Sequence, residues 1–357
     1  MPAYKDKDRG TWYASFYYTD WQGIKHKKKK RGFKTQREAK EFEHDFLANE
    51  QKETDVTFST LVDEYFKDME QRLHETTIHN KRYIFDTKIT PYLGRLKIKD
   101  ITATTTRKWQ NEVLLSDDYS QTYIKTINNQ LSAVLNYAVK YYDLPNNPCK
   151  KAGSVGKKNA DEMNIWTQED FEKFIAVEDK PASKLAFEIL FWTGMRSGEL
   201  LALTPADILP DKSITINKSF TRLEGRDIVS EPKTPKSNRI VPIPDFLYNE
   251  IYDYMNTVYK IEPEERIFYF TKYHLSSEIK RCAKLAGIQP IRVHDLRHSH
   301  TAMLIEKGYN ILLISERLGH ENVETTLNTY GHLYPNKHRE LADDLQNMRR
   351  KSNSENN

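Results

Sequence analysis

The stretch LGHENVETTLNTYGH, residues 318–332, poses the question that the rest of the chain answers. Just upstream, Ile311, Leu312, Ile314 and Leu318 repeat at helical spacing. Gly319 then stands where such a helix ends, in the position that favours a residue free to adopt positive φ. Asn322 can cap a second short helix, with Thr325 in its first turn. Tyr330 sits at the far end of that helix. It is one of 21 tyrosines in the chain, so its neighbours must decide whether it packs or reacts.

Upstream, HDLRHSH at residues 294–300 holds three histidines and an arginine in about two turns of helix. His294 and Arg297 are three apart and share a helix face. Two charged donors pointing one way suit an oxyanion such as a phosphate. The same letters also read as a zinc-binding H-E-x-x-H with Asp in place of Glu, which would make a metalloprotease. Against that, Arg297 lies between the two histidines and opposes a cation. Farther back, TGMRSGEL carries Arg196 three residues before Glu199, the spacing of an intrahelical ion pair. Between these helices the period changes from helical to alternating. SITINKSF, RDIVSEPK and NRIVPIP read as a three-stranded antiparallel sheet, with Lys233 near the tip between the last two strands. Taken singly, Lys233 is a solvated turn lysine and His320 a helix-capping histidine.

The chain has 357 residues, 38% hydrophobic and 30% charged, which allows two or three domains with true cores. No segment has the length and apolarity of a membrane span, and no signal-peptide core opens the chain. Cys149 and Cys282 lie far apart, so no disulfide framework is expected, and the location predicted is a bacterial cytoplasm. The formal net charge of +4 is weak, but its distribution is not. KHKKKKRGFKTQREAK, residues 25–40, holds nine Lys or Arg and one acid. It follows an aromatic alternating stretch, GTWYASFYYTDWQGIKH, which predicts two or three antiparallel strands turning near Asp20 to Gly23. Thr35 and Glu38 then predict a capping box for a helix that packs with Ala39, Phe42, Phe46 and Leu47. Aromatic and basic side chains on a small sheet fit DNA.

Residues 58–148 read as four helices. They begin at Phe58, at Thr76 (stopped by Pro91 and Gly94), at Thr102 and at Ser120, and LPNNP closes the last. CKKAGSVGKKNADEM, residues 149–163, has no apolar period and reads as a linker. Thr167 and Asp170 cap the first helix of a third unit, and the tail after residue 350 is polar.

In joint order, TGMRSGELLAL, PKTPKSNRIVPI, HDLRHSHTAMLIEKG and ERLGHENVETTLNTYGH resemble the tyrosine recombinase family, the integrases of phages and conjugative elements. The resemblance covers nearly the whole chain, including AVLNYAVKYYDLPNNP at the end of the helical unit. It implies a mainly α, multidomain fold. Residues 1–53 would be an arm-site DNA-binding domain with a small three-stranded sheet and a helix. Residues 57–150 would be a four-helix, SAM-like core-binding domain. Residues 163–350 would be an α+β catalytic domain with a small antiparallel sheet, and residues 351–357 a disordered tail. The implied activity is site-specific integration and excision of a mobile element or prophage through a 3′-phosphotyrosine, without metal or ATP.

Carried onto this sequence, the family's site is Arg196, Lys233, His294, Arg297, His320 and Tyr330. Tyr330 would be the nucleophile, His294 its proton acceptor and Lys233 the general acid. Implied partners are double-stranded DNA at core and arm sites, three further copies of the chain in a homotetramer on synapsed DNA, an excisionase and a host DNA-bending protein. No membrane partner is expected. After Tyr330, Leu341, Leu345 and Met348 fall on one helical face that would dock on a neighbouring protomer. The rival readings are a non-catalytic DNA-binding regulator on the same fold and a type IB topoisomerase-like enzyme.

Overall fold

The structure is a computed structural model that describes residues 3–5, 10–19, 25–50, 56–115, 119–157, 164–232, 235–258 and 260–331. The chain divides into two compact units, Met1–Asp161 and Glu162–Asn357.

At the start of the first unit, β1 (Ala3–Lys5), β2 (Trp12–Thr19) and β3 (Lys25–Phe33) form an antiparallel sheet in the order β1-β2-β3. Strand alternation divides β2 between two faces. Ala14 and Phe16 are buried, and α1 (Gln36–Glu50) packs on their side, with Phe42 and Phe46 at 6.4 and 5.4 Å from the Phe16 ring. Tyr13 and Tyr17 line the other face together with their β3 partners Arg31 and Lys27. The register slips between Trp12 and Tyr13, where Gly32 takes φ +96 as the extra residue of a bulge. The predicted capping box is displaced by one residue. Thr35 accepts the Glu38 N–H, but the Glu38 carboxylate returns to the N–H of Lys34. The turn expected at Asp20 to Gly23 and the side chain of Leu47 lie outside the described residues.

The helical part of this unit comprises α2 (Phe58–Met69), α3 (Glu75–Ile84), α4 (Thr90–Leu93), α5 (Ala103–Leu114), α6 (Gln121–Tyr141) and α7 (Pro148–Ala152). Thr57, Thr102 and Ser120 each accept a backbone N–H three residues on, capping α2, α5 and α6. The periodic faces read from sequence meet in one core built on Phe58, Phe66, Phe85, Ile127, Leu131 and Leu135.

Two expectations change here. Pro91 does not stop the helix begun at Glu75. A π-helical turn, Phe85–Ile89, intervenes and Pro91 falls in the first turn of α4, where its missing N–H costs nothing. The described part of the expected linker is packed rather than extended. Cys149, Ala152 and Val155 are buried, and Gly156 at φ +74 lies so near the Gln121 carbonyl that a Cβ would approach to 2.3 Å. Residues 158–163 lie outside the described residues.

The second unit opens with α8 (Gln168–Ala176), capped by the predicted Thr167–Asp170 box. Its core gathers Phe171, Phe187, Phe191, Leu200, Leu247 and Leu296 from successive helices. The chain continues through α9 (Pro181–Thr193) and α10 (Ser197–Ala202). It then forms the strands β4 (Ile208–Leu209), β5 (Ser213–Ile216), β6 (Ser219–Leu223), β7 (Arg226–Ser230) and β8 (Arg239–Pro242). These strands do not make the single sheet expected from their alternation. β5 pairs with β4 and β8, while β6 and β7 form a separate two-stranded ribbon. Alternation assigns strands without assigning their partners. Finally come α11 (Asp245–Thr257), α12 (Lys272–Ala286), α13 (Asp295–Glu306), α14 (Ile311–Leu318) and α15 (Val323–Tyr330). The helical face expected at Leu341, Leu345 and Met348 lies outside the described residues, as does the tail at 351–357. No described helix is long and apolar enough to cross a membrane.

Candidate active site

Two glycine helix ends build the centre of the site. Gly194 closes α9 and Gly319 closes α14, both at φ +68. The carbonyls at these ends carry the negative pole of their helices and lack helical partners. Arg297, from the first turn of α13, uses both: Nη1 donates to the Gly194 carbonyl and Nη2 to the Leu318 carbonyl, each at 2.7 Å. Its side chain is 3% exposed, and burial with the nearby Arg196 charge lowers its pKa to about 9. It remains a cation at neutral pH, fixed by two backbone dipoles. Gly194 is also required sterically, since a Cβ there would lie 2.5 Å from Cδ2 of the buried His300.

Arg196 precedes α10. Glu199 accepts both its backbone N–H and its Nη1, each at 2.9 Å, so the intrahelical pair expected from sequence is present. The Arg196 side chain is 40% exposed, against 5% for Glu199. Burial pushes the Glu199 carboxyl up, but hydrogen bonds and charge from Arg239, and then from Arg196, outweigh it and hold the group below its ordinary value.

His294 and His320 share the electrostatic environment of these arginines. Burial lowers His294 to about 4, helped by the His298, Arg297 and Arg196 charges. His320 falls to about 4 through burial and through Arg297, Arg196 and Arg239. Its Nδ1 is 2.8 Å from the Thr326 hydroxyl, which orients the ring from within α15. Both imidazoles are therefore neutral at pH 7.

Tyr330 is packed into a core, yet its hydroxyl has a polar partner. Its ring is 2% exposed and packs with Ile305, Ile314 and Leu318. Its hydroxyl, though, meets Nδ1 of His298 in a short hydrogen bond. Burial raises the Tyr330 pKa, while a hydrogen bond with Thr301 and the Arg297 charge act to lower it. The His294 ring stands edge-on to His298 at 5.0 Å.

The structure thus draws Arg196, His294, Arg297, His320 and Tyr330 into one neighbourhood, while Lys233 lies outside the described residues. Sequence reasoning passed over His298, the ring that touches the phenol, although it lies one turn after His294 on the same face. It also passed over Arg239, whose partners are distant in sequence. Neither His294 nor His298 belongs to a potential metal-ligand cluster among the described residues. One such group exists elsewhere, Glu178, Glu278 and Cys282, but Arg281 pairs with both of its carboxylates and Lys180 with that of Glu278.

Comparison with known proteins gives this arrangement a family. Residues 165–337 match the phage integrase family, residues 57–114 the phage integrase N-terminal SAM-like domain, and residues 2–49 an arm DNA-binding domain. The ICEBs1 integrase of Bacillus subtilis is 34% identical over 324 residues, 83% of this chain and 84% of that protein. A XerC-like tyrosine recombinase of Caldanaerobacter subterraneus is 28% identical over 76% of each chain. Among solved structures, the Tn1549 transposon integrase in complex with circular intermediate DNA superposes with a TM-score of 0.68 at 19% identity, over 82% of this chain and 100% of that one. A lambda integrase tetramer bound to a Holliday junction gives 0.59 at 18% identity, over 90% and 96%. The chain belongs to the phage integrase family. It is a tyrosine recombinase, a DNA strand transferase that acts as a site-specific integrase.

Proposed function

We propose that this integrase cuts and rejoins DNA through Tyr330, with Arg196, Lys233, His294, Arg297 and His320 completing the site. The observation that carries the reading is the placement of the Tyr330 hydroxyl against His298 and within the field of Arg297, a cation locked onto two helix ends. The Tyr330 oxygen attacks phosphorus, the bond from phosphorus to the 5′-oxygen breaks, and the 3′-phosphate stays on the tyrosine. Negative charge grows on the nonbridging oxygens. Arg297 and Arg196 neutralise it, and His320 donates a hydrogen bond to it. Such preorganised charge stabilisation is usually the largest catalytic contribution. An ordinary tyrosine has a pKa of about 10, so its proton must leave as the bond forms. The contact in this structure favours His298 as the immediate acceptor, with His294 beside it. Lys233, between β7 and β8, protonates the departing 5′-oxygen. The phosphotyrosine conserves the bond energy, and a free 5′-hydroxyl from another strand reverses the step. The guanidinium groups do the charge neutralisation for which other phosphoryl-transfer enzymes use a metal.

The chain is read as three working modules: arm-binding residues 1–53, core-binding residues 57–150 and catalytic residues 163–350. The exposed Lys27, Lys29 and Arg31 beside Tyr13 and Tyr17 support DNA contact by the first. Its partners are duplex DNA at core and arm sites, three further protomers on synapsed DNA, an excisionase and a host bending protein. The setting is the bacterial cytoplasm, on the nucleoid when bound. The mobile element is a prophage or a conjugative element.

The test is a nicked attachment-site duplex that traps the covalent complex. The wild-type chain is expected to accumulate a DNA adduct at Tyr330. Tyr330→Phe is expected to bind equally well and trap none. An adduct that persists in the variant removes the assignment.

A further inference from the structure

Arg239 has no part in the chemistry above, yet its side chain is only 7% exposed and its fork joins three separate parts of the unit. Nη2 and Nη1 donate to the two carboxylate oxygens of Glu199, at 2.8 and 3.2 Å. Nε donates to the Arg317 carbonyl in the last turn of α14, at 2.9 Å. Nη1 also reaches the Ser237 carbonyl, 3.1 Å away, in the segment that leads from Lys233 into β8. Glu199 is the same carboxylate that holds Arg196. Gly319, next to His320, lies close to the guanidinium: a Cβ there would come within 2.9 Å of Nη1. Lys236 adds a second tie from the same segment to the same corner, donating to the Glu321 carbonyl at 3.0 Å.

We propose that Arg239 is a positioning residue that holds the Ser237 turn, which follows Lys233 in the chain, the Arg196–Glu199 pair and the Gly319–His320 corner in one register around the phosphate. The inference rests on the reading of Tyr330 chemistry given above. Its physical basis is the shape of the guanidinium. A planar fork can hold a carboxylate end-on through its two Nη groups while its Nε donates in another direction, which a lysine ammonium on a flexible stem cannot reproduce. Glu199 connects the fork to Arg196, so loosening Arg239 frees one phosphate-binding arginine together with the Ser237 turn, four residues along the chain from Lys233. A misplacement on the order of 1 Å in such a site is enough to cost about a hundredfold in rate.

A purely structural ion pair would alter melting but not the rate of a folded, saturated enzyme. The experiment therefore uses the full chain at saturating site DNA and measures single-turnover cleavage. One substrate has an ordinary 5′-bridging oxygen. The other has a 5′-bridging sulfur, whose thiolate departs without a proton. Arg239→Lys is expected to cut the oxygen substrate about tenfold to a hundredfold more slowly. DNA affinity should change by less than about twofold, since no phosphate contact is assigned to Arg239. The sulfur substrate should recover a large part of the loss, because it bypasses Lys233.

Unchanged cleavage of the oxygen substrate, or equal slowing on both substrates, overturns the proposal. If Arg239→Lys melts below assay temperature, Arg239→Ala titrated with guanidinium ion takes its place. Restored cleavage supports the strut, and no restoration at concentrations harmless to the wild type overturns it. Wild-type protein and Tyr330→Phe run alongside. Absence of a wild-type adduct would count against the Tyr330 reading itself, a result distinct from a normal wild type with an indifferent Arg239.

Discussion

The chain handles positive charge in opposite ways at its two ends. On β3, every residue from Lys25 to Arg31 is exposed, and the lysines rest on aromatic faces, Lys29 over Tyr13 at 4.7 Å and Lys27 over Tyr17 at 5.5 Å. In the C-terminal unit, Arg239 and Arg297 are buried and each guanidinium N–H named above ends on a carbonyl or carboxylate. Exposed ammonium groups on flexible stems keep their hydration and attract a polyanion by releasing its counterions, with little demand on geometry. Buried guanidinium groups lose hydration and need compensating dipoles, and in exchange they are immobile before the substrate arrives. On the function proposed above, one surface supplies affinity and the other a fixed field.

The sharpest way to break this contrast is Arg297→Ala. It should lower single-turnover cleavage on the order of a hundredfold to a thousandfold with nearly unchanged affinity for site DNA. Loss of affinity with no separate loss of rate would place Arg297 with the lysines of the sheet.

Glycine substitutions compare the two regions by stability. Gly194→Ala meets both a positive φ and the His300 ring, so urea unfolding of the C-terminal unit should shift by about 2–4 kcal/mol. Gly32→Ala in the arm sheet has φ +96 but nothing within 4 Å, so only the backbone penalty of about 1–2 kcal/mol applies. Equal costs would mean that the crowding at Gly194 is relieved at no expense.

Lys27→Ala and Lys29→Ala should each weaken arm-site binding and flatten the dependence of log affinity on log salt by about 0.9. Cleavage of an isolated core site should be untouched. A change in cleavage without a change in slope would contradict the division of labour.

The two regions should also differ in pH dependence. His294 and His320 titrate at about 4 when folded, below the ordinary histidine value of 6.5. Their depressed values mean that the unfolded chain binds protons first as pH falls. Their contribution to stability is intact above 6.5 and is lost progressively down towards 4. The C-terminal unit should melt a few degrees lower at pH 5 than at pH 7. No decline over that interval would show that these rings are not held neutral by burial.

The sequence alone determined what depends on neighbours within a turn or two of chain. Helical periods, the helix starts near Phe58, Thr102 and Ser120, the Thr167 cap and the glycine stop at 319 were all legible, because capping and positive φ are local physics. The ordered recurrence of Arg196, His294, Arg297, His320 and Tyr330 was legible as a pattern.

Only the tertiary structure decided the pairings. β5 joins β8 instead of a neighbouring hairpin, and a π-turn carries the chain past Pro91. Val155 enters a core that its lysine- and glycine-rich surroundings concealed. His298 rather than His294 faces the phenol, a difference of one turn on the same helix face. Arg239 finds Glu199 across 40 residues and the Arg317 carbonyl across 78. A buried charge takes its partners from whichever helix ends packing brings together, and apolar contacts from the whole unit set that packing without leaving any trace at the arginine's own place in the sequence.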